Sequence, residues 1–171
     1  MIYSTQIGNY LSRLTGLIMS IRWPFPLSLG IVYLFAKFIK INLAEVKEPL
    51  RSFRSLNDFF TRELISYARP INPNPDFVVS PADGKVLAFG TITDSLLIQA
   101  KDVNYSLDML LPETDTSAFT DGYFMTIYLA PFDCHRLFSP YDGHIVSTIH
   151  IPGKLYPVRE PYISHHPGLY T

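Results

Sequence analysis

The chain has one cysteine among its 171 residues, Cys134, so it forms no internal disulfide and holds no multi-cysteine metal motif. A reducing compartment is compatible with that count. Charge is scarce: 14 Lys and Arg stand against 15 Asp and Glu, for a net charge of -1 and 17% charged residues. Such a balance excludes the basic field that nucleic acid attracts, and no nucleic-acid partner is expected. The glycines make neither a Walker loop nor a dinucleotide fingerprint, and no segment repeats. His144, His150, His165 and His166 show no spacing tied to carboxylates, so no metal is expected. A secretory leader is not expected either: residues 1–6 carry no basic cluster, and no small-residue cleavage site follows an apolar core.

What the chain has in quantity is grease. Hydrophobic residues make up 47% and aromatics 14%, and the mean hydropathy is +0.14. The length suffices for one domain with a real core plus an appendage. Ile7, Tyr10, Leu11, Leu14, Leu17, Ile18 and Ile21 fall on one face of a helix, with Gln6, Asn9, Ser12, Arg13, Thr15 and Arg22 on the other. Trp23-Pro24 ends that helix. A greasier segment, 25–41, follows, broken by Pro26 and Gly30 and carrying Lys37 and Lys40. Its uninterrupted apolar run falls short of the roughly 20 residues that span a bilayer. The pair reads as helices lying in a membrane interface, anchored by Trp23, Phe25, Tyr33 and Phe35. The competing reading packs both against the protein's own core.

Capping pairs at Asn42/Glu45 and Ser55/Asp58 predict short helices near 43–47 and 56–64. Residues 68–76 form a proline-rich connector. Beyond it the period becomes strand-like, predicting strands at Phe77–Ser80, Lys85–Phe89, Thr91–Ile92, Leu96–Gln99, Phe124–Leu129, His144–Ile151 and Leu155–Val158. Residues 112–122 read as a solvated loop. The expected class is α+β: N-terminal amphipathic helices in a membrane-associating region, 1–67, then the connector, then a mainly antiparallel β domain over 77–171, barrel-like or sandwich-like.

Chemistry concentrates in Tyr128–Gly143, which packs Asp133, Cys134, His135 and Arg136 between Pro131 and Pro140. Titratable side chains on a stiff loop at a strand exit suit proton transfer; a merely solvated surface connection is the plain alternative. A second word, Val78-Val-Ser-Pro-Ala-Asp-Gly-Lys-Val86, sets Asp83 in a tight turn.

Together, Pro-Ala-Asp-Gly-Lys-Val and Tyr-Leu-Ala-Pro-x-Asp-x-His-Arg resemble the phosphatidylserine decarboxylases, pyruvoyl enzymes that make phosphatidylethanolamine. The resemblance continues through Leu56-Asn-Asp-Phe-Phe-Thr-Arg-Glu-Leu64, Ala68-Arg-Pro-Ile71, Ile98-Gln-Ala-Lys101, Tyr105-Ser-Leu107 and Pro152-Gly-Lys-Leu-Tyr156, and covers about residues 10–171. It implies a proenzyme that cuts itself at a serine in a Leu-Gly-Ser-Thr word, turning that serine into a pyruvoyl group that serves as electron sink for decarboxylation. Asp83 matches the carboxylate that orients the self-cleavage base. Asp133 matches an acidic position that supports the same base, or else caps its own loop. His135 matches the histidine associated with decarboxylation, an imidazole able to return a proton once CO2 has left. Arg136 would meet a substrate phosphate or carboxylate, or only brace the loop. Cys134 stands where the family usually has an aromatic residue and is given no role.

Two departures accompany the resemblance. Phe138 occupies the position of the family's second histidine, the self-cleavage base, and no Leu-Gly-Ser-Thr word occurs in the 171 residues. The β domain is therefore expected to be incomplete at its C-terminal side, with exposed apolar edges after residue 150. The implied partners are a phospholipid membrane, phosphatidylserine, and a small C-terminal pyruvoyl-bearing chain, with a homodimer as the assembly. The implied location is peripheral, on the cytoplasmic face of the cell membrane. The alternative is a truncated or catalytically inactive relative acting only as a membrane-associated domain.

Overall fold

The computed structural model of the chain describes residues 5–93, 96–99, 103–112 and 114–157. Its class is α+β. Two compact units interleave along the sequence: one takes Tyr10–Gly84 and Leu129–Lys154, the other Lys85–Tyr128 with both chain ends.

The first unit begins on helix α1 (Thr5–Ser20), whose apolar row stays uncovered; Leu17 is 70% exposed, and Tyr10, Leu11, Leu14 and Ile18 are also more than half exposed. Helix α2 (Leu27–Ile39) buries one stripe, Ser28, Val32 and Ala36, spaced four apart as one helical face requires. It stops at Lys40, which sits in the left-handed region at φ 63° and sends its N–H back to Ala36 and Lys37. Glycine usually fills that capping position. No helix among the described residues is long and apolar enough to cross a membrane.

The core of this unit joins Val32, Ala36, Ile41, Phe53 and Phe59. Phe59 is fully buried, edge-on to Phe53 at 5.2 Å and to Phe35 at 6.4 Å. Burying one such ring contributes roughly 1.5–3 kcal/mol. Phe35, expected as a membrane anchor, thus turns half-buried to the core. Phe59 lies in helix α3 (Leu56–Phe60), started by Ser55, whose Oγ accepts from the Asp58 N–H at 3.0 Å. The helix expected over 56–64 ends at Phe60: Thr61 leaves the helical region at φ -95°, ψ 27°, and an isolated antiparallel bridge pairs Leu64 with Val46. The other expected helix is a single 3-10 turn, Leu43–Glu45, capped by Asn42.

In the second unit, β1 (Lys85–Thr91) pairs antiparallel with β4 (Tyr123–Tyr128), with a bulge at Leu87, between Val86 and Ala88. A second ribbon joins β2 (Leu96–Gln99) to β3 (Val103–Ser106), and helix α4 (Leu107–Leu110) follows. Gly90 lies so close to Phe124 that an added Cβ would stand 3.2 Å from the ring. A small core of Ile92 and Leu107, backed by Leu110, Leu111 and Phe124, lies beside it.

The β structure is antiparallel as expected, but among the described residues it consists of two ribbons and no closed barrel. Strand β3 carries no clear sequence signal, being four residues with two polar ones. Phe77–Ser80 and His144–Ile151 are not strands. A strand exists through its ladder, and Ile145 and Val146, 87% and 95% exposed, have no partner strand among the described residues. Residues 155–157 are irregular too; Val158, the end of that expected strand, lies outside the described residues, as do Lys101 and everything past 157.

Candidate functional site

All four residues singled out from the sequence lie in the first unit. Two backbone hydrogen bonds join their two words, which are some 50 positions apart: Phe138 N donates to Pro81 O at 2.8 Å, and Val79 N to Pro140 O at 3.0 Å. Between them the Asp83-Gly84 turn places Gly84 at φ 143°, where an L side chain would be strained. Asp142-Gly143, the same dipeptide, has no such requirement at its glycine.

Asp83 is the junction. Arg69 grips it with both ends of the guanidinium, each bond 2.7 Å long, and the Cys134 N–H reaches its Oδ2 at 3.3 Å. The paired Arg69 holds the Asp83 carboxyl below the usual carboxylate range, against the opposing effect of burial. Arg69 itself is raised, chiefly by Asp83, and also reaches Glu45 at 3.0 Å.

The loop is wound tightly at Ala130. Asp133 turns its side chain back to accept from the Ala130 N–H at 2.6 Å, while its own N–H donates to Ala130 O at 2.9 Å. The same carbonyl lies 3.0 Å from His135 Nε2. A carbonyl only accepts, so this contact places a proton on Nε2 and leaves Nδ1 as the nitrogen free to exchange one. The His135 ring lies 4.0 Å from the ring of Phe60, tilted by 31°. Asp83 and His135 are thus on one loop system, joined through Cys134 rather than by a bond between them.

Arg136 donates from Nε to Thr61 O at 2.7 Å and from Nη1 to Glu63 at 3.1 Å. Its Nη2 has no hydrogen bond among the described residues. Glu63 also takes Lys47 at 2.6 Å, and the two cations, Lys47 first, hold its carboxyl low. Cys134 is buried with its thiol against Arg62 O at 3.9 Å, and His135 is half-buried.

A cavity of about 450 Å3 opens beside these groups. Leu64, Ile65, Val79 and Phe138 give it an apolar wall, and Asp83, Arg69 and Arg136 give it a charged rim. Where a histidine would bring a base, Phe138 brings wall.

The sequence reading missed Arg62. Its side chain is 97% buried and points at backbone, so no residue pattern announces it; only its place in the 56–64 word hints at a role.

Comparison with known proteins supports the resemblance. A family model described as phosphatidylserine decarboxylase matches residues 56–171. A phosphatidylserine decarboxylase proenzyme of Mannheimia succiniciproducens is 40% identical over 163 residues, covering 94% of this chain and 55% of the relative. Proenzymes of the same name from Francisella tularensis subspecies holarctica and novicida are 45% identical over 131 residues, 76% of this chain and 46% of each relative. The chain spans about half the length of these curated relatives. With more than half of its residues matched by that family model, and with the words around Asp83 and His135 joined in one site, the chain belongs to the phosphatidylserine decarboxylase family.

Proposed function

We propose that this chain carries the proton-handling part of a phosphatidylserine decarboxylase, which converts phosphatidylserine to phosphatidylethanolamine in phospholipid biosynthesis. The observation that carries the reading is the Asp83–Cys134 contact, because it ties the loop bearing His135 to Asp83 on the charged rim of the cavity.

A pyruvoyl group fits this site in size and chemistry: it is small and uncharged, and the apolar wall of Leu64, Val79 and Phe138 would hold it. When present it supplies the electron sink for loss of CO2. No Leu-Gly-Ser-Thr word occurs in these 171 residues, and the proenzyme names of the relatives support a second, pyruvoyl-bearing chain as the partner.

The chain's own residues do the rest. Arg136 Nη2, unbonded among the described residues, meets the substrate carboxylate or phosphate at the rim. His135, in its imidazolium form with Nε2–H held by Ala130 O, gives the Nδ1 proton to the carbon that has lost CO2 and is left neutral. Arg69 keeps Asp83 ionised, and Asp83 holds the Cys134 backbone so that the imidazole stays in place. Asp133 closes the turn at Ala130.

Access to a lipid substrate is provided by the uncovered apolar faces of α1 and α2, which lie in the interface of the bilayer. On this reading the protein is peripheral to the membrane, and the resemblance implies the cytoplasmic side. Phe138 favours a second reading, a relative that cannot cut itself and serves only as a membrane-associated domain, since a phenyl ring accepts no proton. The two readings part on one assay. Chain supplied with a serine-bearing segment is incubated with phosphatidylserine vesicles, and phosphatidylethanolamine is quantified. Formation above background supports the enzyme; none, with the chain folded and bound to the vesicles, supports the inactive relative.

A further inference from the structure

The segment after α3 holds the His135 loop from below. Arg62 is the centre of it. Its Nη2 donates to Phe132 O at 2.8 Å and to Asp133 O at 3.0 Å, the two carbonyls directly before Cys134. On one side of Arg62 in sequence, Phe60 faces the His135 ring at 4.0 Å, and Thr61 O takes Arg136. The Arg62 carbonyl receives the Cys134 thiol. Three consecutive residues of one segment therefore grip the loop over 132–136.

Stability alone does not account for a cation in that place. Arg62 is 3% exposed, and its Nε and Nη1 have no hydrogen-bond partner among the described residues. Its guanidinium carbon lies 5.5 Å from the Phe59 ring centroid, a contact that offsets only part of the cost of burying the charge. What the guanidinium does achieve is geometric. One nitrogen spans two successive carbonyls, and this fixes the orientation of the peptides that lead into His135. A shorter side chain would not reach both carbonyls, and Lys would carry a point charge without the planar guanidinium that fixes the direction of its N–H groups.

We propose that Arg62 is a positioning residue for His135, setting the loop so that the imidazole stacks on Phe60 and keeps Nε2 on Ala130. The importance of this for catalysis rests on the proposed role of His135, but the clamp is measurable without substrate.

The test is solution NMR on the full chain, wild type and Arg62→Lys. In the wild type, the His135 ring protons are shifted upfield by the facing Phe60, and the Arg62 Nη protons exchange slowly with water. In Arg62→Lys, the upfield shift collapses and the imidazole Nε2–H exchanges about tenfold faster, the loss of roughly one hydrogen bond. The Val32 and Ile41 methyls, in the core of the same unit, keep their positions. Unchanged His135 shifts and exchange in a folded Arg62→Lys would overturn the proposal. If that variant does not fold, the wild-type arm decides: a freely exchanging Arg62 guanidinium overturns it, a protected one supports it. Phe60→Leu abolishes the upfield shift with Arg62 intact, which confirms the assignment of the reporter. A chain that shows the clamp yet makes no phosphatidylethanolamine would sink the decarboxylase reading alone.

Discussion

Arg69 and Asp83 form a two-pronged ion pair, Nε to Oδ1 and Nη2 to Oδ2, both at 2.7 Å. Paired forks of this kind combine charge with fixed orientation. The pair ties the connector after residue 68 to the Asp83-Gly84 turn, and through the Cys134 N–H it reaches the loop that bears His135. The Asp83 side chain is 14% exposed and that of Arg69 45%, so solvent screens the interaction in part.

Replacing Asp83 by Asn is expected to lower stability by about 1–2 kcal/mol at neutral pH, discounted for that screening. The folded carboxyl is depressed, chiefly by Arg69. Its contribution is therefore fully present above the unfolded value of about 3.9 and is lost as pH falls through the lower folded value. Urea unfolding of both proteins at pH 7 and near pH 3 checks this. The gap between them should narrow in acid, and a gap that widens there would contradict the assignment.

The uncovered row on α1 makes a second prediction. Leu14→Glu with Leu17→Glu removes two exposed apolar side chains from the face assigned to the membrane. Each contributes of order 1 kcal/mol or more when buried in the interface. Vesicle flotation should show binding at least ~10-fold weaker, with the helical content of the rest unchanged. Equal binding by the double variant would mean that α1 does not lie on the bilayer.

Much of this was legible in the residues. The helical face of α1, the Ser55 cap and strands near Lys85–Phe89 and Phe124–Leu129 follow from periodicity and local hydrogen bonding, while the pairing of those two strands does not. The Asp83 and His135 words were legible through their resemblance to a family, not through physics. What stayed hidden depends on distant partners. Arg62 acts on carbonyls 70 and 71 positions away, and backbone acceptors leave no trace in a side-chain pattern. The same reason works in reverse for His144–Ile151, whose apolar alternation looks like a strand but has no ladder partner among the described residues.

Phe138 gives a third prediction. In a polypeptide that also carries the serine-bearing word, Phe138→His restores an imidazole at the cavity wall. General-base help of this kind is worth roughly 10²–10⁴ in rate. Gel analysis over time should show faster appearance of two chains from one. No acceleration would mean that self-cleavage here uses a base elsewhere, or that the cavity does not receive the serine.

The central claim is that His135 returns the proton after CO2 leaves. The direct measurement is phosphatidylethanolamine formation from phosphatidylserine vesicles by the processed protein, wild type against His135→Asn, with chain cleavage followed in the same samples. A loss of roughly 10²–10⁴-fold in product formation, with cleavage intact, is the predicted result. Decarboxylation by His135→Asn at the wild-type rate would contradict it.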